Sequence, residues 1–388
     1  MRADRLLLVV IPILLLVAVP VSGGDMAGEG PVLLRGPYLT PADGSALTVH
    51  IWTDRPVETV VEFGKEEDVL RRGSYSRAVS SPAVLEHQRI LLTDLAPATR
   101  YQYRVRYGGA STGDLHFLTC PAAGPVTFLV MGDSRDQPPV YLMEERFGGV
   151  ASRAAAEQGV HFLVHTGDFV LDGDSGGDWD RFFRIGGVLL GNATLLPAGG
   201  NHDGSREGFT DLFALPLNYT FSCGDVQVVV LDSGDNSWRD LPAQARWLDR
   251  ALAAGPPLKV AALHYPLVSS DEGHMGGWAN LREVFLPVLS RHGVLAVFQG
   301  HVHLYERDVS EGIQFITEAR AGAPPYSFGP ERAADFRAGV EGTLGYTRVT
   351  TGPAGSSAVA EVIRVAGSRE KGESFPAPGS ILERVMLP

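Results

Sequence analysis

Five apolar runs in this sequence each end in a side chain able to bind a metal ion, and that recurrence constrains the fold more than any other feature. Residues 126–131 lead to Gly132-Asp133, and residues 161–166 to Gly167-Asp168. Residues 193–198 lead to Gly200-Asn201-His202-Asp203, residues 258–263 to His264, and residues 294–298 to Gly300-His301-Val302-His303. The runs have strand length and near-continuous hydrophobicity, as expected of strands covered on both faces. Open α/β sheets place their sites at the carboxyl ends of such strands. A glycine precedes the ligand in four of the five and permits a tight turn with close backbone approach. His301 and His303, two apart on extended backbone, project to one side, so each imidazole can reach a different ion. A lone His-x-His is more often a polar surface loop. Five such endings together point to a dinuclear metal site.

Helical patterns separate the runs, over residues 141–158, 179–190, 241–254 and 279–291. Strand–helix alternation predicts a layered α/β domain. Upstream, residues 33–119 read as all-β. Short alternating runs at 46–52, 59–63, 87–92, 101–107 and 114–119 are punctuated by turn residues and predict a β-sandwich. Residues 120–125 form a short linker. The tail holds a strand at 358–365 and then a polar, Gly- and Pro-containing end expected to be partly mobile. Residues 1–24 read as an export signal: Arg2 and Arg5, an apolar run, then Ser22-Gly23-Gly24. An uncleaved membrane anchor is the alternative for this segment.

The 388 residues carry a net charge of −12, one unit more negative without residues 1–24. Such a balance argues against nucleic-acid binding beyond a nucleotide substrate. Bound cations would reverse the sign locally and admit a small phosphate ester. The two cysteines, Cys120 and Cys223, make no disulfide framework, and the reading favours buried free thiols over a bridge.

Asp133, Gly167-Asp168, Gly200-Asn201-His202-Asp203, His264 and Gly300-His301-x-His303 resemble, in order and spacing, the five ligand blocks of the calcineurin-like metallophosphoesterases. The last block, continuing Leu304-Tyr305-Glu306-Arg307, is similar to that of the purple acid phosphatases. Those enzymes carry a fibronectin type III-like N-terminal domain. Leu95-x-Pro97-x-Thr99-x-Tyr101-x-Tyr103 resembles the tyrosine corner of fibronectin type III domains. The resemblance implies an α/β fold: a four-layer α/β/β/α sandwich over 125–388, behind an all-β fibronectin III-like sandwich over 30–120. It implies one metal held by Asp133, Asp168 and His303. A second would be held by Asp168, Asn201, His264 and His301, with Asp168 bridging. A hydroxide shared between the metals would be the nucleophile.

Two positions depart from the family pattern. The purple enzymes have Gly-Asp-x-x-Tyr, with tyrosinate on ferric iron, where this chain has Leu171. The wider superfamily often has Asp-x-His where this chain has Asp133-Ser134-Arg135. The pair is therefore expected to be Mn, Zn or Fe(II) rather than a purple ferric site. His202 is the candidate general acid, with neighbouring Asp203 raising its pKa. His274, in a Gly-rich loop, is a second candidate for contacting substrate or protonating the leaving group. Arg135 is a candidate phosphate clamp. His87, His161, His165 and His292 fit no ligand block and read as structural. The expected protein is an exported, dinuclear-metal hydrolase of phosphate monoesters. The alternatives are a phosphodiesterase or nucleotidase on the same site, and a β-sandwich surface protein with an inactive metal domain.

Overall fold

The computed structural model describes residues 30–42, 46–233, 240–353, 357–367 and 379–387. The export signal expected at 1–24 lies outside them. Among these residues two large sheets lie face to face.

The first sheet has nine strands. Its centre is parallel: Thr127–Met131, Val160–His165 and Thr194–Pro197 run side by side in register. Thr343–Thr351, Ala358–Gly367 and Ile381–Leu387 extend one side as antiparallel strands. The second sheet has seven strands. Val226–Val230, Leu258–Ala262, Ala296–Gln299 and Ile313–Glu318 are its parallel core.

Side-chain alternation explains the layering. In Thr127–Met131, Phe128 and Val130 face the second sheet, where they meet Val228, Val230, Ala262 and Phe298. Leu129 and Met131 face the other way, onto helices Phe147–Ala155 and Gly176–Leu190. On the far side, Val229, Ala261 and Val297 pack against helices Leu241–Leu252 and Ala279–Arg291. Strands hidden on both faces must be apolar throughout, which is why the five runs lack polar alternation. The layers are α/β/β/α. Each fully buried Phe or Leu contributes about 1.5–3 kcal/mol relative to exposure.

The N-terminal region packs two sheets around a core that includes Val49, Ile51, Phe63, Ile90, Tyr103 and Phe117. One sheet holds Arg77–Ser80, Thr59–Lys65, Arg100–Tyr107 and Ala110–Ser111, with Leu115–Leu118 also on Arg100–Tyr107. The other holds Leu33–Pro41, Leu47–Val57 and Leu85–Leu92, and is the outer third of the nine-stranded sheet. Leu39 pairs in parallel with Thr194 at the join. Tyr103 Oη donates to the Gly191 carbonyl at 2.6 Å, tying this core to the end of helix Gly176–Leu190. Tyr101 Oη accepts from the Ala96 N–H at 2.9 Å and closes the corner read from the sequence.

Local chemistry sets the helix limits. Ser175 and Asp240 accept N–H bonds as N-caps of Gly176–Leu190 and Leu241–Leu252. The helix expected over 141–158 begins only at Phe147. Gln137 and Tyr141 exchange backbone hydrogen bonds around Pro138-Pro139, and this closed turn occupies the start of the expected helix. Helices Glu66–Arg72 and Arg206–Phe213, and strands Tyr219–Cys223 and Val226–Val230, add to the elements expected.

One expectation is corrected and one strand is added. Cys120 and Cys223 form a disulfide with Cα atoms 5.0 Å apart. Cys223 ends its strand where the linker passes, and Gly224 N–H donates to the Pro121 carbonyl at 3.1 Å. The tail also adds a strand that was not expected. Ile381–Leu387 pairs with Ala358–Gly367, and Val385 and Leu387 enter the inter-sheet core.

Candidate metal centre

The carboxyl ends of the parallel strands bring the ligand side chains together. Asp133, Asp168 and Asn201 follow Thr127–Met131, Val160–His165 and Thr194–Pro197. His264 follows Leu258–Ala262, and His301 and His303 follow Ala296–Gln299. Asp133, Asp168 and His301 have φ of 58°, 54° and 69°. Non-glycine residues avoid that left-handed region, at a cost of about 1–3 kcal/mol each, so the surrounding contacts must hold them there. Some of those contacts are clear. The His301 N–H donates to both oxygens of Asp133 at 3.1 and 3.0 Å, and the His202 N–H donates to Asp168 Oδ1 at 3.0 Å. Glycine is required at two flanking positions. A Cβ on Gly200 would lie 2.3 Å from the Asp168 amide nitrogen, and one on Gly167 2.6 Å from His264 Nδ1.

Two ligand groups result, and they share one residue. Asp168, His264 and His301 converge in one; Asp133, Asp168 and His303 converge in the other. Asn201 Oδ1 joins the first, 3.0 Å from His264 Nε2 and 2.9 Å from His301 Nδ1. His264 Nε2 lies 3.3 Å from Asp168 Oδ1, and His303 Nε2 lies 3.4 Å from Asp133 Oδ1. The opposite ring nitrogens fix the tautomers. His264 Nδ1 donates to the Thr166 carbonyl at 2.9 Å, and His303 Nδ1 to the Pro324 carbonyl at 2.7 Å. In the neutral rings both Nε2 atoms therefore offer lone pairs, aimed at carboxylate and amide oxygens that also offer lone pairs. Facing acceptors repel one another unless a cation lies among them, so this donor set fits metal ions.

The electrostatics agree. Burial, followed by neighbouring positive charge, pushes His301 well below the usual imidazole range and His303 down to about 3. Both are neutral at ordinary pH, as ligation requires. Burial pushes Asp133 up to about 8, so at ordinary pH its carboxyl keeps a proton that a bound cation would displace. Burial also opposes charge on Asp168, but His264, His202 and Arg135 hold its carboxyl below the usual range.

The other expected site residues divide. His274 is at the centre, its ring 5.1 Å from that of His301. Its Nδ1 meets Asp271 Oδ2 at 2.6 Å, and its ring stacks on Trp278 and Tyr326. Asp271, Trp278 and Tyr326 were not singled out from the sequence, although Asp271 stands only three residues before His274 in the same loop. His202 Nδ1 donates to the Leu171 carbonyl at 2.7 Å, which leaves Nε2 as its other polar ring atom. Asp203 needs correction as the partner of His202. It is buried and turned toward backbone, accepting from the amides of Asp168, Phe169 and Gly200 at 3.0, 2.8 and 2.8 Å. It fixes the two loops that carry Asp168 and Asn201. Arg135 is 7% exposed, with Nε 3.5 Å from Asp168 Oδ2. Among the histidines read as structural, His165 is buried against Ser134 Oγ at 3.1 Å and stacks on Phe169. His292 pairs with Asp249.

Asp203→Asn is expected to weaken metal binding about 10–100-fold, because an amide N–H₂ would face backbone donors. Titration of the stripped protein with Mn(II) measures this. A shift in the pH–rate profile with unchanged metal affinity would instead restore Asp203 as a partner of His202.

The family model for calcineurin-like phosphoesterases matches residues 110–305, half of the chain. The chain belongs to the calcineurin-like phosphoesterase family. Purple acid phosphatase 22 of Arabidopsis thaliana is 26% identical over 288 residues, covering 66% of this chain and 62% of that protein. Purple acid phosphatase 1 of Ipomoea batatas is 25% identical over 323 residues, covering 74% and 64%. The chain spans about three-fifths of the length of the curated relatives it matches. Among solved structures, the purple acid phosphatase PPD1 from yellow lupin seeds superposes with a TM-score of 0.75 at 15% identity, over 92% of this chain and 74% of that one. PhoD superposes with a TM-score of 0.68 at 12% identity, over 92% and 91%. These likenesses establish the metallophosphoesterase fold.

Proposed function

We propose that this protein is an exported, metal-dependent hydrolase of small phosphate monoesters. The observation that carries the reading is the pair of ligand groups joined at Asp168. Two cations bound there would supply positive charge to a phosphoryl group and acidify water between them. Their ligands would be Asp133, Asp168 and His303 in one half, and Asp168, Asn201, His264 and His301 in the other.

The chain's own groups would do the rest. His202, its Nδ1 fixed by the Leu171 carbonyl, can release a proton only from Nε2. His274 is oriented by Asp271 and held by Trp278, so that it can contact the ester or protonate the leaving oxygen. Leu171 offers no side-chain donor, which supports Mn, Zn or Fe(II) over a tyrosinate-bound ferric ion. Export rests on residues 1–24. No helix among the described residues is long and apolar enough to cross a membrane.

The test strips the purified protein of metal and reloads it separately with Mn(II), Zn(II) and Fe(II). Hydrolysis of a chromogenic phosphomonoester is compared with that of the matching diester. Metal-dependent monoester turnover, without a tyrosinate absorption band, is expected. Diester preference would move the reading to a phosphodiesterase. Two bound metals without turnover would favour a binding protein.

A further inference from the structure

The two halves of the centre are unequal in donors and in charge. One half has four protein donors, in Asp168, Asn201, His264 and His301. The other has three, in Asp133, Asp168 and His303, and an arginine beside them. Arg135 is almost wholly buried, and its Nε has no hydrogen-bond partner. That nitrogen lies 3.5 Å from Asp168 Oδ2. The other oxygen of Asp168 is taken up on the opposite side, 3.3 Å from His264 Nε2 and bonded to the His202 N–H. The shared carboxylate therefore turns one oxygen to the four-donor half and the other to a guanidinium. A guanidinium does not lose its proton in proteins, so this charge is permanent.

We propose, on the reading of this centre as a metal site, that Arg135 makes the two halves unequal in affinity and serves as a built-in positive charge in the weaker one. The Asp168–Asn201–His264–His301 half holds its cation tightly. A cation in the Asp133–Asp168–His303 half competes with the guanidinium for Asp168 Oδ2 and is repelled by it. When that half is empty, Arg135 offers charge to an incoming phosphoryl oxygen there.

The experiment titrates the stripped, purified protein with Mn(II), reading bound metal by elemental analysis after equilibrium dialysis. Wild type should show two dissociation constants separated by about tenfold or more. Arg135→Gln should tighten the weaker site and narrow the gap by about threefold or more, the difference in donors remaining, whereas Arg135→Lys, which keeps the charge, should retain the gap. Circular dichroism verifies that the variants are folded. Equal constants in wild type, or an unchanged gap in Arg135→Gln, overturn the proposal. Hydrolysis is read separately. Equal sites with turnover would sink this proposal and leave the phosphatase reading intact. Unequal sites that respond to Arg135 but hydrolyse no ester would do the reverse.

Discussion

Asp168→Ala is expected to lose metal and turnover together. Asp168 is the residue common to both ligand groups, so its removal takes a donor from each. It also leaves the His202 N–H without its acceptor and places alanine at a φ of 54°. Metal assistance to phosphoryl transfer is worth several kcal/mol, and each 1.36 kcal/mol is tenfold, so kcat/KM should fall about a thousandfold or more. Metal content after dialysis and kcat/KM on a phosphomonoester measure the two effects. Asp168→Asn separates folding from chemistry. It keeps the side-chain shape and an acceptor for His202 N–H but loses the charge, and should fold normally with weak metal binding. Retention of both metal and turnover in either variant would refute the assignment.

The second large effect lies away from the candidate metal centre. Asp308 is fully buried in strand Tyr305–Ser310, and neither of its carboxyl oxygens has a hydrogen-bond partner. Burial, then the carboxylates of Glu306 and Asp335, push it up to about 8, against the pull of Arg337 and Arg282. The native protein thus keeps a proton that the unfolded chain releases near its ordinary value of about 4. A raised folded-state pKa contributes stability below the unfolded value, which is lost as pH rises through the folded value. Stability should therefore decline from about pH 4 to about pH 8, with a ceiling of about 5 kcal/mol at 1.36 kcal/mol per unit. Asp308→Asn removes this dependence. It should match wild type at or below about pH 4 and exceed it by a few kcal/mol near pH 9 in urea denaturation. Parallel stability profiles for the two proteins would rule the effect out.

The candidate ligands that the structure brings together were legible because each is announced locally, by an apolar run and a turn. Helix Ala279–Arg291 was legible for a similar reason, since its periodicity lies within one segment. What escaped depends on contacts between distant segments, or on where a side chain turns. Cys120 and Cys223 are 103 residues apart, and spacing alone does not say that the linker crosses the end of Tyr219–Cys223. Asp203 stands beside His202, and adjacency suggested a pair. The carboxylate instead accepts from the amides of Gly200 in its own loop and of Asp168 and Phe169 in the next. The strand at Ile381–Leu387 was masked by its polar residues: Arg384 faces outward, while Glu383 faces the second sheet and bonds Tyr305 and Arg307 there. The aromatic ring stack around His274 joins two loops, so neither stretch alone disclosed it.

The hydrogen-bonded join between Leu39 and Thr194 bears on how this protein can be divided. Strand Thr194–Pro197 lies inside the sheet only because Leu33–Pro41 covers one of its flanks. A shortened chain begun at the linker would bare that flank four residues before Asn201. Unprotected edges recruit other strands, so such a fragment would tend to self-associate next to its own ligand loop. The N-terminal module therefore acts as a selvedge for the ligand-bearing sheet, and cannot be traded away like an appended tag.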